Sequence, residues 1–278
     1  QMYRSYHAIR GLTGPDGRST GAVYGFVTML RKLVADQQPE LIACAFDLAG
    51  PTFRTSLAAD DKANRPAMPD DLAEQIPWVH QACEALGVPI LSCQGFEADD
   101  VIGTVTERAV GEGYQVAIVT GDKDLFQLVR DGVRVFNPRD EGTWYDAAGV
   151  EAKFGVAPAL VVDVLALTGD SVDNFKGVPG IGEKGARELL GAYGSLEDLL
   201  AHAGEVPQKK YREALVAGVD LARQSRELAR IRVDAPISFE VEAFRYRGPD
   251  RAACYALFSD LGFRSLLTDF APTASAVT

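Results

Sequence analysis

The stretch QVAIVTGDKDLFQLV, residues 115–129, reads as a strand, a polar turn and the start of a helix. Its VAIV run is apolar at consecutive positions, so both faces of the strand need cover, as in a parallel sheet between helices. Two acids, Asp122 and Asp124, follow at once. In open α/β sheets, sites form outside the carboxyl ends of the strands. The same grammar appears twice upstream. LIACAF (41–46) runs into Asp47, and VPILSC (88–93) is followed by GFEADDVIGTV (95–105), with Glu97, Asp99 and Asp100. Three successive strands thus deliver carboxylates to one edge of a sheet. A further crowded stretch, TGDSVDNF (168–175), carries Asp170 and Asp173.

Around these strands the pattern predicts helices over about 20–36, 70–86, 98–112 and 124–130, and a fourth strand in VRVFNP (133–138). Such alternation predicts an α/β fold with a central, mostly parallel sheet flanked by helices. From 146 the chain reads as mostly helical. The expected domains are an α/β core over 1–145, a helical region over 146–270, and a linker-like tail over 271–278, APTASAVT.

Composition narrows the chemistry. The 278 residues are 47% hydrophobic and 24% charged, an ordinary globular balance. No apolar run approaches the ~20 residues that span a bilayer, and the N-terminus has no apolar signal core. Four scattered cysteines without a CxxC pair read as buried thiols in a reducing compartment, and three scattered histidines argue against zinc. Taken as a sum, the net charge of −11 argues against a polyanionic partner. Eight acids in the crowded stretches account for most of it; without them the balance is −3.

One acid at a helix start is an ordinary cap or a response to the helix dipole. Doubled and tripled acids repel and need another cause. Bound metal supplies one. An all-oxygen donor set without His or Cys points to Mg²⁺ or Mn²⁺, two or more ions, in the arrangement that hydrolyses phosphodiesters. A calcium-store reading lacks the D-x-[DN]-x-[DN]-G loop.

GVPGIGEKGARELLGAYGSLEDLL (177–200) places Gly180 and Gly182 around Ile181, with Lys184 in the helix that follows. Glycine permits close backbone approach, and free N–H groups with a lysine at a helix start suit a backbone phosphate. This is a helix-hairpin-helix pattern that grips nucleic acid without reading sequence; Gly177 opens it. The plainer alternative is a tight turn with a C-cap glycine. FRTSLAADDKANRP (53–66) adds Arg54, Lys62 and Arg65. These are either a solvated loop or a mobile segment that grips the scissile phosphate.

Taken together, AVYGF, FDLAGPTFR, KANRPAMPDDL, GFEADDVIGT, TGDKDLFQLV, LTGDSVDNFKGVPGIGEKGA and YGSLEDLL resemble the 5′-nuclease (flap endonuclease) superfamily, in the branch that forms the 5′→3′ exonuclease domain of bacterial DNA polymerases. The likeness covers nearly the whole chain. It implies a PIN-like nuclease core with a helical arch over about 53–70 and a hairpin clamp. The implied activity is metal-dependent removal of 5′ flaps and RNA primers at nicked or gapped duplex DNA. By the same resemblance, Asp47, Glu97, Asp99, Asp100, Asp122, Asp124, Asp170 and Asp173 are the metal-site acids. Lys62 and Arg65 are the arch-base pair, Arg4 lies near the scissile phosphate, and the hairpin holds a potassium ion. Replication and repair, a bacterial cytoplasmic setting at the nucleoid, no membrane partner, and polymerase domains in the same parent chain follow from it too.

Two departures stand out. The family opens with a strand ending in Asp-Gly, whose Asp is another ligand, while this chain begins at Gln1 inside the next helix; the first strand is expected to be missing and the sequence to be a fragment. In the arch, Asp61 stands where the family has an aromatic residue, and so forgoes a base-stacking contact worth ~1–3 kcal/mol. Two rival readings follow: a catalytically impaired, structure-selective DNA-binding protein, and a ribonuclease of the related PIN class.

Overall fold

The computed structural model describes residues 2–58 and 67–272, the side chains of residues 2–4 excepted. Its helices are α1 (Met2–Ala8), α2 (Gly21–Gln37), α3 (Phe53–Leu57), α4 (Asp70–Ala73), α5 (Ile76–Ala85), α6 (Ala98–Gly111), α7 (Ala147–Phe154), α8 (Val161–Thr168), α9 (Glu183–Tyr193), α10 (Leu196–Ala201), α11 (Lys209–Ala217), α12 (Val219–Ala229), α13 (Val241–Phe244), α14 (Arg251–Asp260) and α15 (Arg264–Phe270). The strands are β1 (Cys44–Ala45), β2 (Ile90–Leu91), β3 (Val116–Val119), β4 (Val133–Asn137), β5 (Thr143–Tyr145), β6 (Gly169–Asp170) and β7 (Phe175–Lys176). This is a helix-rich α/β fold, as the alternation predicts.

The chain gathers into two compact units. One comprises Gln1–Phe46, Ala67–Leu91 and Ser238–Thr278; the other comprises Asp47–Pro66 and Ser92–Ile237. In the first, α2 buries Val23, Phe26, Val27 and Leu30, spaced to share one helical face, against Val79, Cys83, Phe258 and Phe270. No side chain caps α2 from Thr20. The fully buried Gln75 does that work: its Oε1 accepts from the N–H groups of Ala22 (2.9 Å) and Val23 (3.3 Å). Gly21 lets the chain before α2 come close, since a Cβ there would stand 2.1 Å from the Ile9 carbonyl oxygen.

In the second unit, β3 pairs in parallel with β4, and β5 runs antiparallel to β4. Helix α8 is buried along seven of its eight residues, from Val161 to Leu167. Within it, Asp163 accepts from Arg226 Nε (2.5 Å) and the Leu196 N–H (3.0 Å), so one buried carboxylate both pairs with α12 and caps α10. Tyr145 and Val150 lie on opposite sides of the domain boundary expected at 145/146, yet they share this unit's core.

The strands differ from expectation in one respect. Among the described residues, hydrogen bonding groups them into small sheets, β1-β2 in the first unit and β3-β4-β5 and β6-β7 in the second. The reason is visible in LIACAF. Cys44 and Phe46 donate to Pro89 and Leu91 in parallel register, but Ile42 donates to Phe244, and Leu41 bridges Arg245 in antiparallel register. The extended run changes partners along its length, so only two of its residues count as a paired strand. The turn at 124–128 is also tighter than a full helix, a 3₁₀ turn over Asp124–Leu128.

Candidate metal and nucleic-acid site

The acids of the second unit fall into two groups. The first surrounds the start of α6. Glu97 is the N-cap, and its side chain accepts from the Asp100 N–H while Asp100 Oδ2 accepts from the Glu97 N–H (3.0 Å). Asp47 Oδ1 accepts from the Ala98 N–H at 2.8 Å, which ties Asp47 to the same first turn. Asp99 follows in that turn. Carboxylates at an N-terminus are favoured by the helix dipole, which offsets part of their mutual repulsion.

Asp100 differs from its neighbours. It is 0% exposed. Its Oδ1 accepts from Arg54 Nη2 (2.9 Å) and the Arg232 N–H (2.8 Å), and its Oδ2 from Arg54 Nη1 (2.7 Å) as well as Glu97. Arg54 in turn is 5% exposed and donates to the Leu228 and Arg230 carbonyls. Sequence reading put Arg54 on a basic surface segment. The structure puts it in the interior, with its guanidinium filling the bonds of a buried carboxylate; the two form a bidentate pair. Local sequence carries no signal of this, because the carbonyl partners lie 174 and 176 positions away.

The second group lies after β3 and α8. Thr120 Oγ1 accepts from the Asp122 N–H, and Asp122 Oδ1 accepts from the Asp124 N–H (3.1 Å). Asp170 Oδ1 accepts from the Val172 N–H at 2.6 Å. Asp124 Oδ1 is buried and, among the described residues, has no hydrogen-bond partner. Desolvation first, then the charges of Asp122, Asp170 and Asp173, push its pKa up to about 8. The four acids expected here are therefore near enough to act on one another. Among the described residues, no three Asp, Glu, His or Cys side chains stand in a geometry that would hold one ion as they are. The donor set is all hard oxygen, and a buried, partnerless carboxylate oxygen among like charges is what a divalent cation would satisfy.

The glycine hairpin forms as a turn between β7 and α9. Gly180 takes φ +90°, Ile181 is buried, and Gly182 is the N-cap of α9 with no side-chain cap. A Cβ at Gly182 would meet nothing within 4 Å, so the fold does not require glycine there. Gly177 is different: a Cβ would stand 2.2 Å from the Thr168 carbonyl carbon and 2.3 Å from the Gly169 nitrogen, so close chain packing accounts for it. Lys184 projects into solvent, its side chain 92% exposed. Sequence reading missed Lys210, whose Cε lies 3.2 Å from where a Gly180 Cβ would be, and Gly185, where a Cβ would stand 2.6 Å from the Tyr211 hydroxyl. Arg4 lies in α1 with its side chain outside the described residues, as are Asp61, Lys62 and Arg65 altogether.

These parts define a class: an α/β body with carboxylates at its strand ends, in one chain with a helical module entered through a glycine turn. The chain belongs to the 5′-3′ exonuclease family: residues 1–155 match its N-terminal resolvase-like domain, and residues 156–252 its C-terminal SAM fold. It is 43% identical to DNA polymerase I of Pseudomonas aeruginosa over 275 residues, 96% of this chain and 30% of that one. It is 39% identical to DNA polymerase I of Bacillus subtilis over 268 residues, 95% of this chain and 30% of that one. The chain thus spans about 30% of the length of these relatives. Among solved structures, T5 5′-exonuclease with bound divalent metal ions (zinc) shares the fold, with a TM-score of 0.69 at 19% identity, covering 89% of each chain. The catalytic core of Rad2 in complex with DNA substrate does so with a TM-score of 0.60 at 16% identity, covering 96% of this chain and 87% of that one. No helix of the described residues is long and apolar enough to cross a membrane.

Proposed function

We propose that the chain is a structure-selective 5′→3′ exonuclease and 5′-flap endonuclease. It hydrolyses phosphodiesters of DNA, and of RNA primers, with two or more Mg²⁺ or Mn²⁺ ions. The observation that carries the reading is the buried, partnerless Oδ1 of Asp124 among Asp122, Asp170 and Asp173. Family membership and the solved neighbours with metal ions and DNA substrate support it.

Asp47, Glu97 and Asp99 would hold one ion at the start of α6; Asp122, Asp124, Asp170 and Asp173 would hold another. Bound there, divalent cations supply Lewis-acid activation of water and offset the charge that builds on the phosphate. Without cations the second group is self-repelling, and Asp124 keeps a proton at neutral pH. Lys62 and Arg65, with Arg4, are assigned to the same charge on the phosphate. The N–H groups of the uncapped α9 start, with Gly180, Gly182 and Lys184, would position a duplex phosphate, and a potassium ion in the turn fits that role. The protein acts in replication and repair in the bacterial cytoplasm, within a parent chain that carries polymerase domains.

The test is cleavage of a 5′-labelled flap duplex with Mg²⁺, with EDTA as control. Cleavage that EDTA abolishes, and that Asp122→Asn lowers at least a hundredfold while duplex binding stays within threefold, is expected. Duplex binding without any cleavage would replace the reading with that of a DNA-binding protein.

A further inference from the structure

The segment 228–232, which leaves α12, has its backbone groups divided between two side-chain systems. Leu228 and Arg230 carbonyls accept from Arg54, and the Arg232 N–H donates to Asp100. Between them, the Ala229 carbonyl accepts from Gln127 Nε2 (3.1 Å), and the Ile231 N–H donates to Gln127 Oε1 (3.0 Å). Leu228 and Ala229 close α12, and the backbone is extended from Arg230. The hydrogen bonds alternate along the segment, so that one side is bound to Arg54 and Asp100 and the other to Gln127.

Each side leads to one of the acid groups. Asp100 Oδ2 holds the Glu97 N–H, at the turn that carries Glu97 and Asp99. Gln127 Nε2 donates to the Asp124 carbonyl (2.9 Å), in the turn that carries Asp124. A carboxylate has about four lone-pair sites, and the four donors on Asp100 occupy them. None remains for a cation.

The geometry points to a spacer: the 228–232 strap fixes the separation of the two carboxylate groups, and Asp100, Arg54 and Gln127 are positioning residues rather than metal ligands. This rests on the two-metal reading above. In catalysis, a shift of about 1 Å in such a separation costs on the order of a hundredfold in rate, so the strap sets kcat without touching substrate.

The experiment uses the whole chain and two readouts. In the first, Mn²⁺ binding and flap cleavage are measured for Asp99→Asn, Asp100→Asn, Gln127→Leu and the paired Arg54→Met/Asp100→Leu, whose apolar replacements leave no charge buried alone. Asp99→Asn is expected to weaken Mn²⁺ at least tenfold. The other three are expected to keep Mn²⁺ affinity within threefold and KM within threefold while kcat falls at least tenfold. Loss of Mn²⁺ affinity in the paired variant as large as in Asp99→Asn, or wild-type kcat in both the paired variant and Gln127→Leu, would overturn the inference. In the second, a double-mutant cycle in urea compares Asp100→Asn, Gln127→Leu and their combination. Both side chains hydrogen-bond to the strap, so a coupling of at least threefold in the folding constant is expected, and effects that multiply without coupling overturn the spacer. If Asp100→Asn does not fold, the paired variant takes its place in the cycle. This readout needs no activity: a wild-type chain that neither binds Mn²⁺ nor cleaves would refute the nuclease reading, while the cycle still decides the strap.

Discussion

Asp124 is the residue at which the electrostatics of the site can be measured without substrate. Its folded pKa is about 8, against 3.8 for a free Asp. Below pH 4 it is protonated whether the chain is folded or not. Between about pH 4 and 8 the folded protein keeps a proton that the unfolded chain has released, so folding stability from this group falls as pH rises, and the loss is complete above 8. A shift of one pKa unit corresponds to about 1.4 kcal/mol, and this carboxylate is partly accessible, so a loss of at least about 1 kcal/mol is the expectation. Urea unfolding in EDTA at pH 5.5 and 8.5 measures it. The wild type should lose more stability across that interval than Asp124→Asn, which has no charge to bury. Mg²⁺ at pH 8.5 should restore the wild type far more than the variant. Equal pH dependence in the two proteins would remove Asp124 from the cluster.

At the scale of elements, one pair of changes separates packing from function. A Cβ at Gly177 collides with backbone of α8 and β6, so Gly177→Ala should cost well over 2 kcal/mol in thermal or urea unfolding. A Cβ at Gly182 meets nothing and φ there is −97°. Gly182→Ala should therefore leave the melting temperature within a few degrees while weakening duplex binding, because under the proposed clamp the methyl group would stand between a phosphate and the α9 start. A similar melting loss in both variants would mean the hairpin turn is only a packing device. In the other unit, Gln75→Leu leaves the Ala22 and Val23 N–H groups buried without an acceptor and should destabilise by about 1–3 kcal/mol. The sequence made much of this architecture legible. The helices expected at 20–36 and 98–112 form at Gly21–Gln37 and Ala98–Gly111, because apolar periodicity is local information. What it could not show was long-range bookkeeping of hydrogen bonds. Gln75 as the cap of α2, the partner change along LIACAF, and the division of strap 228–232 between Arg54 and Gln127 all join residues more than forty positions apart. Arg54 was misread for that reason, since an arginine in a polar stretch looks solvated until the carbonyls that bury it are known. The crowding of the acids was legible because like charges packed together conflict with local stability on their own.

At the scale of the whole molecule, a chain of net charge −11 is proposed to hold a polyanion, and the distribution of charge decides whether it can. The eight crowded acids carry most of the deficit; two divalent cations bound to them would offset half of that cluster's charge and leave basic residues elsewhere to meet phosphate. Duplex affinity should therefore rise with Mg²⁺ by more than a chelating buffer can be blamed for, in a variant such as Asp122→Asn that is not expected to cleave. Phosphate contacts also leave a signature in salt. Each one released contributes about 0.9 to the slope of log affinity against log salt concentration on duplex DNA. The exposed Lys184 pairs only loosely with Glu188, at 3.9 Å and in solvent, so removing it costs the fold almost nothing. Lys184→Ala should weaken binding to every duplex sequence alike, reduce the salt slope by about 1, and raise KM in cleavage while leaving kcat near wild type. Fluorescence anisotropy at a series of KCl concentrations measures the slope. An unchanged slope, with the loss appearing in kcat alone, would move Lys184 out of the clamp and shift the duplex contact to another part of the chain, with Lys210 beside Gly180 the first place to look.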